Sequence, residues 1–143
     1  MSASPEQTLR VFFSNEKGLL PGFIHGIDDF VHVKIIYLKG RLDGSASTAM
    51  DYFYKKAQKN PGQLNKDVLL DFRKVDEVDS ATVAQLLKIL TLLKKNSHRL
   101  GLFNVSQRIV HQLEICNLDQ VFQVFASKGE ALNEVMRWSQ KWE

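Results

Sequence analysis

Apolar and polar positions follow two rhythms along this chain, and the switches between them outline a series of elements. "TLRVFF" (Thr8 to Phe13) is β-prone and ends in the turn-like "SNEKG". "LLPGFIHGIDD" is interrupted by Pro21, Gly22 and Gly26, and reads as a loop or a short strand. "FVHVKIIYLKG" (Phe30 to Gly40) is long, β-branched and aromatic, the signature of a central strand. In "DGSASTAMDYFYKKAQK" the rhythm changes. Ala49, Met50, Phe53, Tyr54 and Ala57 recur at helical spacing, with Asp43, Ser45 or Ser47 as caps and "NPG" as the stop.

The alternation then repeats. "DVLLDFRKV" (Asp67 to Val75) reads as a buried strand. Val83, Leu86, Leu87, Leu90 and Leu93 trace a wide apolar helix face, and Lys94, Lys95 and Asn96 suit the end of that helix. "RLGLFNV" is a short strand. Ser106 caps a helix carrying Ile109, Val110, Leu113 and Ile115; "QVFQVF" is a strand and "KGEALNEVMRWSQKW" a closing helix. From Phe30 onward the order is β-α-β-α-β-α-β-α. Such an order predicts one α/β domain with a mixed, mostly parallel sheet of four to six strands and about four helices. The expected division is an N-terminal extension, 1–29, with an antiparallel edge strand at 8–13, followed by a domain over 30–143. Residues 1–7 are expected to be disordered.

Composition narrows the function. The chain has 143 residues, 44% apolar and 24% charged, which suits one ordinary core. Nineteen basic against 16 acidic residues leave a net charge of +3, and no Lys/Arg run exceeds two. That excess gives nucleic-acid binding little support. No apolar run approaches the ~20 residues of a membrane span, and the N-terminus lacks a signal-peptide pattern, so a cytoplasmic protein without direct membrane insertion is expected.

Nothing in the sequence asks for catalysis. It has no G-x-x-x-x-G-K-[ST], no G-x-G-x-x-G and no G-x-S-x-G. His25, His32, His98 and His111 are scattered, and no metal or cofactor site is expected. The lone cysteine, Cys116, lies in an apolar helical pattern and reads as a buried core thiol. Tyr37, Tyr52, Phe53 and Tyr54 read as packing residues.

One stretch does raise a chemical question. "EVDSATVAQLL" (Glu77 to Leu87) joins an acidic turn to a helix, and the small hydroxyl of Ser80 stands at the junction. Asp, Ser and Thr gather at helix starts because they cap, so Asp79 or Ser80 needs no partner to be explained. A helix start also presents unpaired N–H groups and partial positive charge, so a phosphate on Ser80 is tolerable there. Both readings stand. Asp43, between a strand and "GSAS", is equally a turn or cap residue, and Asn104 reads as a turn.

"KGRLDGSAS" followed by "VDEVDSATVAQLLKIL" resembles the paired signature segments of the STAS domain family, the anti-sigma-factor antagonists and their relatives. There a strand ending in G-x-L-D leads into a helix, and a later strand leads to D-S-S-G or D-[ST]-x-G. Gly40, Leu42 and Asp43 match the first segment, and Asp79 and Ser80 the second. The ending "SQRIVHQLEICNLDQVFQVFASKGEAL" is also similar, and the resemblance spans roughly residues 31–138. Thr82 stands where the family has glycine, and Ala81 where it often has a second serine.

The resemblance implies a STAS-like fold with helices chiefly on one side of the sheet. It implies a non-enzymatic bacterial signalling protein that binds a serine-kinase anti-sigma factor and is regulated by phosphorylation at Ser80, with Thr82 as the reserve acceptor. Asp43, Asp79, Ser80, Thr82 and Val83 would form the partner-binding surface. The chain itself would need no cofactor, because the nucleotide belongs to the kinase. The N-terminal extension would supply an edge strand or a self-association surface, and so a homodimer. The alternative is a structural STAS subunit of a stress-sensing complex or of a lipid-transport ABC system, without phosphorylation. A small-ligand binder using the strand ends is a third reading.

Overall fold

The computed structural model describes residues 22–60, 62 and 64–140. The expected strand at 8–13 and the expected disorder of 1–7 lie outside them. Among the described residues nine elements follow one another: β1 (Ile24–Asp29), β2 (Val33–Leu42), α1 (Gly44–Lys59), β3 (Asp67–Val78), α2 (Ser80–Lys95), β4 (Leu100–Phe103), α3 (Gln107–Ile115), β5 (Gln123–Phe125) and α4 (Lys128–Gln140). The strands form one sheet in the order β1-β2-β3-β4-β5. β1 pairs antiparallel with β2, and the other neighbours are parallel. The alternation read from the sequence is thus an α/β sheet whose consecutive parallel strands are joined by helices, and its antiparallel edge among the described residues comes from residues 24–29.

Two unequal cores flank the sheet. On one face, Ile36, Leu38, Leu42, Leu70 and Phe72 pack against Met50 and Ala57 of α1, Val83, Leu86 and Leu90 of α2, and Ile109 and Leu113 of α3. Most helical positions picked out by periodicity face this core; Val110 and Ile115 of α3 do not. Each fully buried aliphatic side chain stabilises the fold by about 1.5–3 kcal/mol. On the other face, Val33, Ile35, Leu69 and Phe103 pack against α4 through Ala131, Val135 and Trp138.

Three expectations need correction. β2 starts at Val33 rather than Phe30, and Phe30, Val31 and His32 are exposed in the turn from β1. Cys116 is exposed. It caps the C-terminus of α3, one position beyond the last helical residue, and so falls off the buried stripe. Ile115 is 69% exposed because, two positions past the buried Leu113, it lies on the opposite side of α3. Of "QVFQVF", only Gln123–Phe125 joins the sheet, while Phe122 is buried in the turn before it.

β4 packs tightly because of Gly101. A β-carbon there would stand 2.9 Å from both Leu69 Cδ2 and Phe125 Cε2, on the face that receives α4. Gly101→Val is therefore expected to lower the unfolding free energy by about 1–3 kcal/mol through overpacking, read by thermal or urea denaturation.

Candidate functional site

β2 and β3 end side by side, with Leu42 opposite Val78, and each strand passes into a helix after a single aspartate. Asp43 caps α1, its carboxylate accepting from Ser45 N–H and Ser45 Oγ at 3.2 Å. Asp79 caps α2 in the same way, accepting from Thr82 N–H at 2.8 Å. Each cap satisfies one N–H of a helix start that has four to satisfy. Two helix N-termini, with no acidic side chain in either first turn, therefore open at the same edge of the sheet. Gly40 turns β2 toward this corner with φ +74°, a backbone state that a side chain would strain.

The two turns are bolted together. Thr82 Oγ1 donates to Leu42 O at 2.8 Å and lies 3.3 Å from Asp43 O, while Asp79 N–H donates to the same Leu42 carbonyl at 3.1 Å. Thr82 is 0% exposed, and Val83 is buried beside it. The threonine that replaces a glycine in the signature is thus a strut, with its hydroxyl committed to the backbone. Neither Thr82 nor Val83 is available at the surface in this fold. Asp43, Asp79 and Ser80 are all exposed on the corner.

Ser80 is the first residue of α2, and Asp79, not Ser80, does the capping. The Ser80 hydroxyl makes none of the bonds that hold the corner together. Among the described residues, the N–H groups of Ser80 and Ala81 have no protein partner, so the corner presents donors alongside an uncommitted hydroxyl. That is a setting in which an anionic group is locally stabilised.

Sequence reading did not find the frame around this corner. Glu77 accepts from Arg41 of β2 at 2.9 Å and from Arg108 of α3 at 2.7 Å. The hydrogen bond from Arg41, reinforced by its charge and by Arg108, holds the Glu77 carboxyl below its usual range. Gln112 Nε2 donates to Val78 O, tying α3 to the end of β3. These partners lie over thirty residues apart in the chain, so no local spacing could reveal them. Asn104 is a turn residue, with φ +57°, and its side-chain amide donates to the buried Asp71 at 3.1 Å. Among the described residues no cluster of three His, Cys, Asp or Glu side chains could hold a metal ion, and no helix is long and apolar enough to cross a membrane.

The division of labour at the corner predicts an order of stabilities. Asp79→Ala should cost about 0.5–2 kcal/mol as a lost cap. Thr82→Val should cost about 1 kcal/mol as a lost buried hydrogen bond. Ser80→Ala should stay within about 0.5 kcal/mol of the parent. Chemical denaturation of the three variants reads this order, and a large loss in Ser80→Ala would contradict the assignment of the cap to Asp79.

The comparisons agree with this geometry. The STAS domain family model matches residues 26–131. A putative anti-sigma factor antagonist from Thermotoga maritima shares the fold with a TM-score of 0.65 at 19% identity, covering 78% of this chain and 93% of its own. A sulfate transporter family protein from Wolinella succinogenes does so with a TM-score of 0.66 at 17% identity, over 79% and 92%. SpoIIAA, a Bacillus cell fate determinant, matches in its phosphorylated form with a TM-score of 0.55 at 21% identity, over 77% and 99%. No curated protein sequence matches the chain. With the family model spanning most of its length and both signature corners in place, the chain belongs to the STAS domain family.

Proposed function

We propose that this chain is a non-enzymatic signalling module of the anti-sigma-factor antagonist kind. It binds a serine-kinase anti-sigma factor through the corner formed by Asp43, Asp79 and Ser80, and it is released when Ser80 is phosphorylated. One observation carries this reading: Ser80 is exposed at the first turn of α2 while Asp79 and Thr82 perform all the structural work there. Phosphate on Ser80 would therefore add about two negative charges and three acceptor oxygens without removing any bond that holds the fold. The open N–H groups of the helix start favour that charge locally. A protein docked on the same corner would instead meet a new charge beside Asp43 and Asp79, and like-charge contact across an interface is costly. SpoIIAA, which shares the fold, exists in phosphorylated and unphosphorylated forms, and this supports the same reading.

A second reading is favoured by the likeness to a sulfate transporter family protein. In it the chain is a structural STAS subunit of a transport or stress-sensing assembly, and Ser80 carries no phosphate.

Incubation with an anti-sigma-factor serine kinase and ATP is expected to add about 80 Da at Ser80, located by peptide mass spectrometry, and nothing in Ser80→Ala. Ser80→Asp is expected to keep the parent melting behaviour and to weaken kinase binding at least tenfold, equivalent to about 1.4 kcal/mol, in calorimetric titration. Equal affinities for Ser80→Asp and the parent would overturn the switch.

A further inference from the structure

α4 covers only part of the second sheet face, over Val33, Ile35, Leu69 and Phe103. Further along β2 and β3 the same face carries Lys39, Arg41, Arg73 and Lys74, all exposed. The register of the two strands creates this cluster. Between the pairs Tyr37–Asp71 and Lys39–Lys74, β2 advances two residues and β3 three. The extra residue breaks the in-out alternation of β3. Phe72 and Val75 both reach the main core, and Arg73 and Lys74 between them are both left in solvent. Lys74 then stands directly opposite Lys39. Like charges facing one another across a ladder are destabilising, so this placement costs the isolated chain stability.

The cations are also largely uncompensated. Arg41 has Glu77, which it shares with Arg108. Among the described residues no carboxylate pairs with Lys39, Arg73 or Lys74. Asp76 is the exposed acid of this part of β3. A further feature lies beside the cluster. β3 pairs with β4 only from Val68 to Asp71, yet it runs on to Val78. Beyond Asp71 it has no neighbouring strand on the β4 side among the described residues. The overhang is partly capped, since Arg73 N–H donates to Asp71 Oδ1 and Val78 O accepts from Gln112 of α3.

We infer that Lys39, Arg41, Arg73 and Lys74 form a docking surface for an acidic, extended segment of a protein partner, one that borders the Ser80 corner through Arg41 and does not include Ser80. Four cations held on paired strands give charge complementarity to such a segment. A lipid surface fits less well. The exposed large apolar residues of the described chain are Phe30, Val31, Tyr52, Ile115, Val121, Val124 and Met136, none of them in this cluster, and membrane binding needs an apolar face beside the charge. Single-stranded nucleic acid needs aromatic platforms for its bases, and none of the four side chains is aromatic.

The test is fluorescence anisotropy with a labelled peptide of alternating Glu and Thr, at about 0.15 M salt so that distant charges are screened. The parent chain is expected to bind this peptide and not its Lys–Thr counterpart. R73E/K74E should weaken binding at least tenfold, and R73Q/K74Q should weaken it while melting no lower than the parent, since repulsion from Lys39 is relieved. S80D should weaken peptide binding far less than R73E/K74E does, which keeps this surface distinct from the phosphorylation reading. Absence of peptide binding by the parent, or equal binding by the parent and both double variants, overturns the inference. So does patch-dependent binding to phosphatidylserine vesicles or to DNA without binding to the peptide.

Discussion

The carbonyl of Leu42 is the point on which the functional edge of this protein depends. It accepts from the Thr82 hydroxyl and from the Asp79 N–H, and so joins the end of β2 to the start of α2 across about forty residues of chain. The bond is buried, where an orphaned acceptor costs about 1–3 kcal/mol, so the two turns cannot separate cheaply. Their union sets Asp43 and Asp79 next to each other as caps of two helices. It also leaves Ser80 without structural duty. A residue that caps, packs and signals at once would be hard to modify without loss of fold. Here those tasks fall to different residues within one turn of helix.

The same economy shapes the sheet. β3 is the longest strand, and its overhang beyond β4 carries everything of interest at this end of the molecule. α3 steadies the overhang through Arg108 on Glu77 and Gln112 on the Val78 carbonyl. Two register shifts in the β2–β3 ladder alter its alternation. The first puts Arg73 and Lys74 together on the surface. The second lies at Gly40, whose positive φ accommodates the change of direction into the signature turn. The face toward α1, α2 and α3 remains apolar to the end of the strand, at Val75 and Val78, while the other face turns basic where α4 no longer covers it.

Much of this was legible along the chain. Helix-period runs such as Val83, Leu86 and Leu90 named the core faces correctly, because a helix that packs on a sheet must bury one stripe whatever its partners are. Ser106 was legible as a cap because capping is a contact within three residues, and its oxygen does accept from Ile109 N–H. The same locality explains the failures. Cys116 continues the stripe of Ile109 and Leu113 but lies where the helix ends, and periodicity does not report where a helix leaves its support; Ile115 lies across the helix from that stripe. β2 starts three residues later than the β-prone Phe30 and Val31 predict, because the turn from β1 overrides their propensity.

The sequence by itself determined the order of strands and helices, the apolar stripes and the two aspartate corners, since all of these are encoded in residues within a few positions of one another. Tertiary structure alone decided which hydroxyl of "DSAT" faces solvent. Ser80 and Thr82 are chemically alike and two residues apart, and only the arrival of the Leu42 carbonyl, brought by sheet pairing, draws one inward and leaves the other free. The basic cluster has the same origin: Lys39 and Lys74 are distant in the chain, and parallel pairing sets them face to face because burial of Leu38, Phe72 and Val75 in the main core fixes the register.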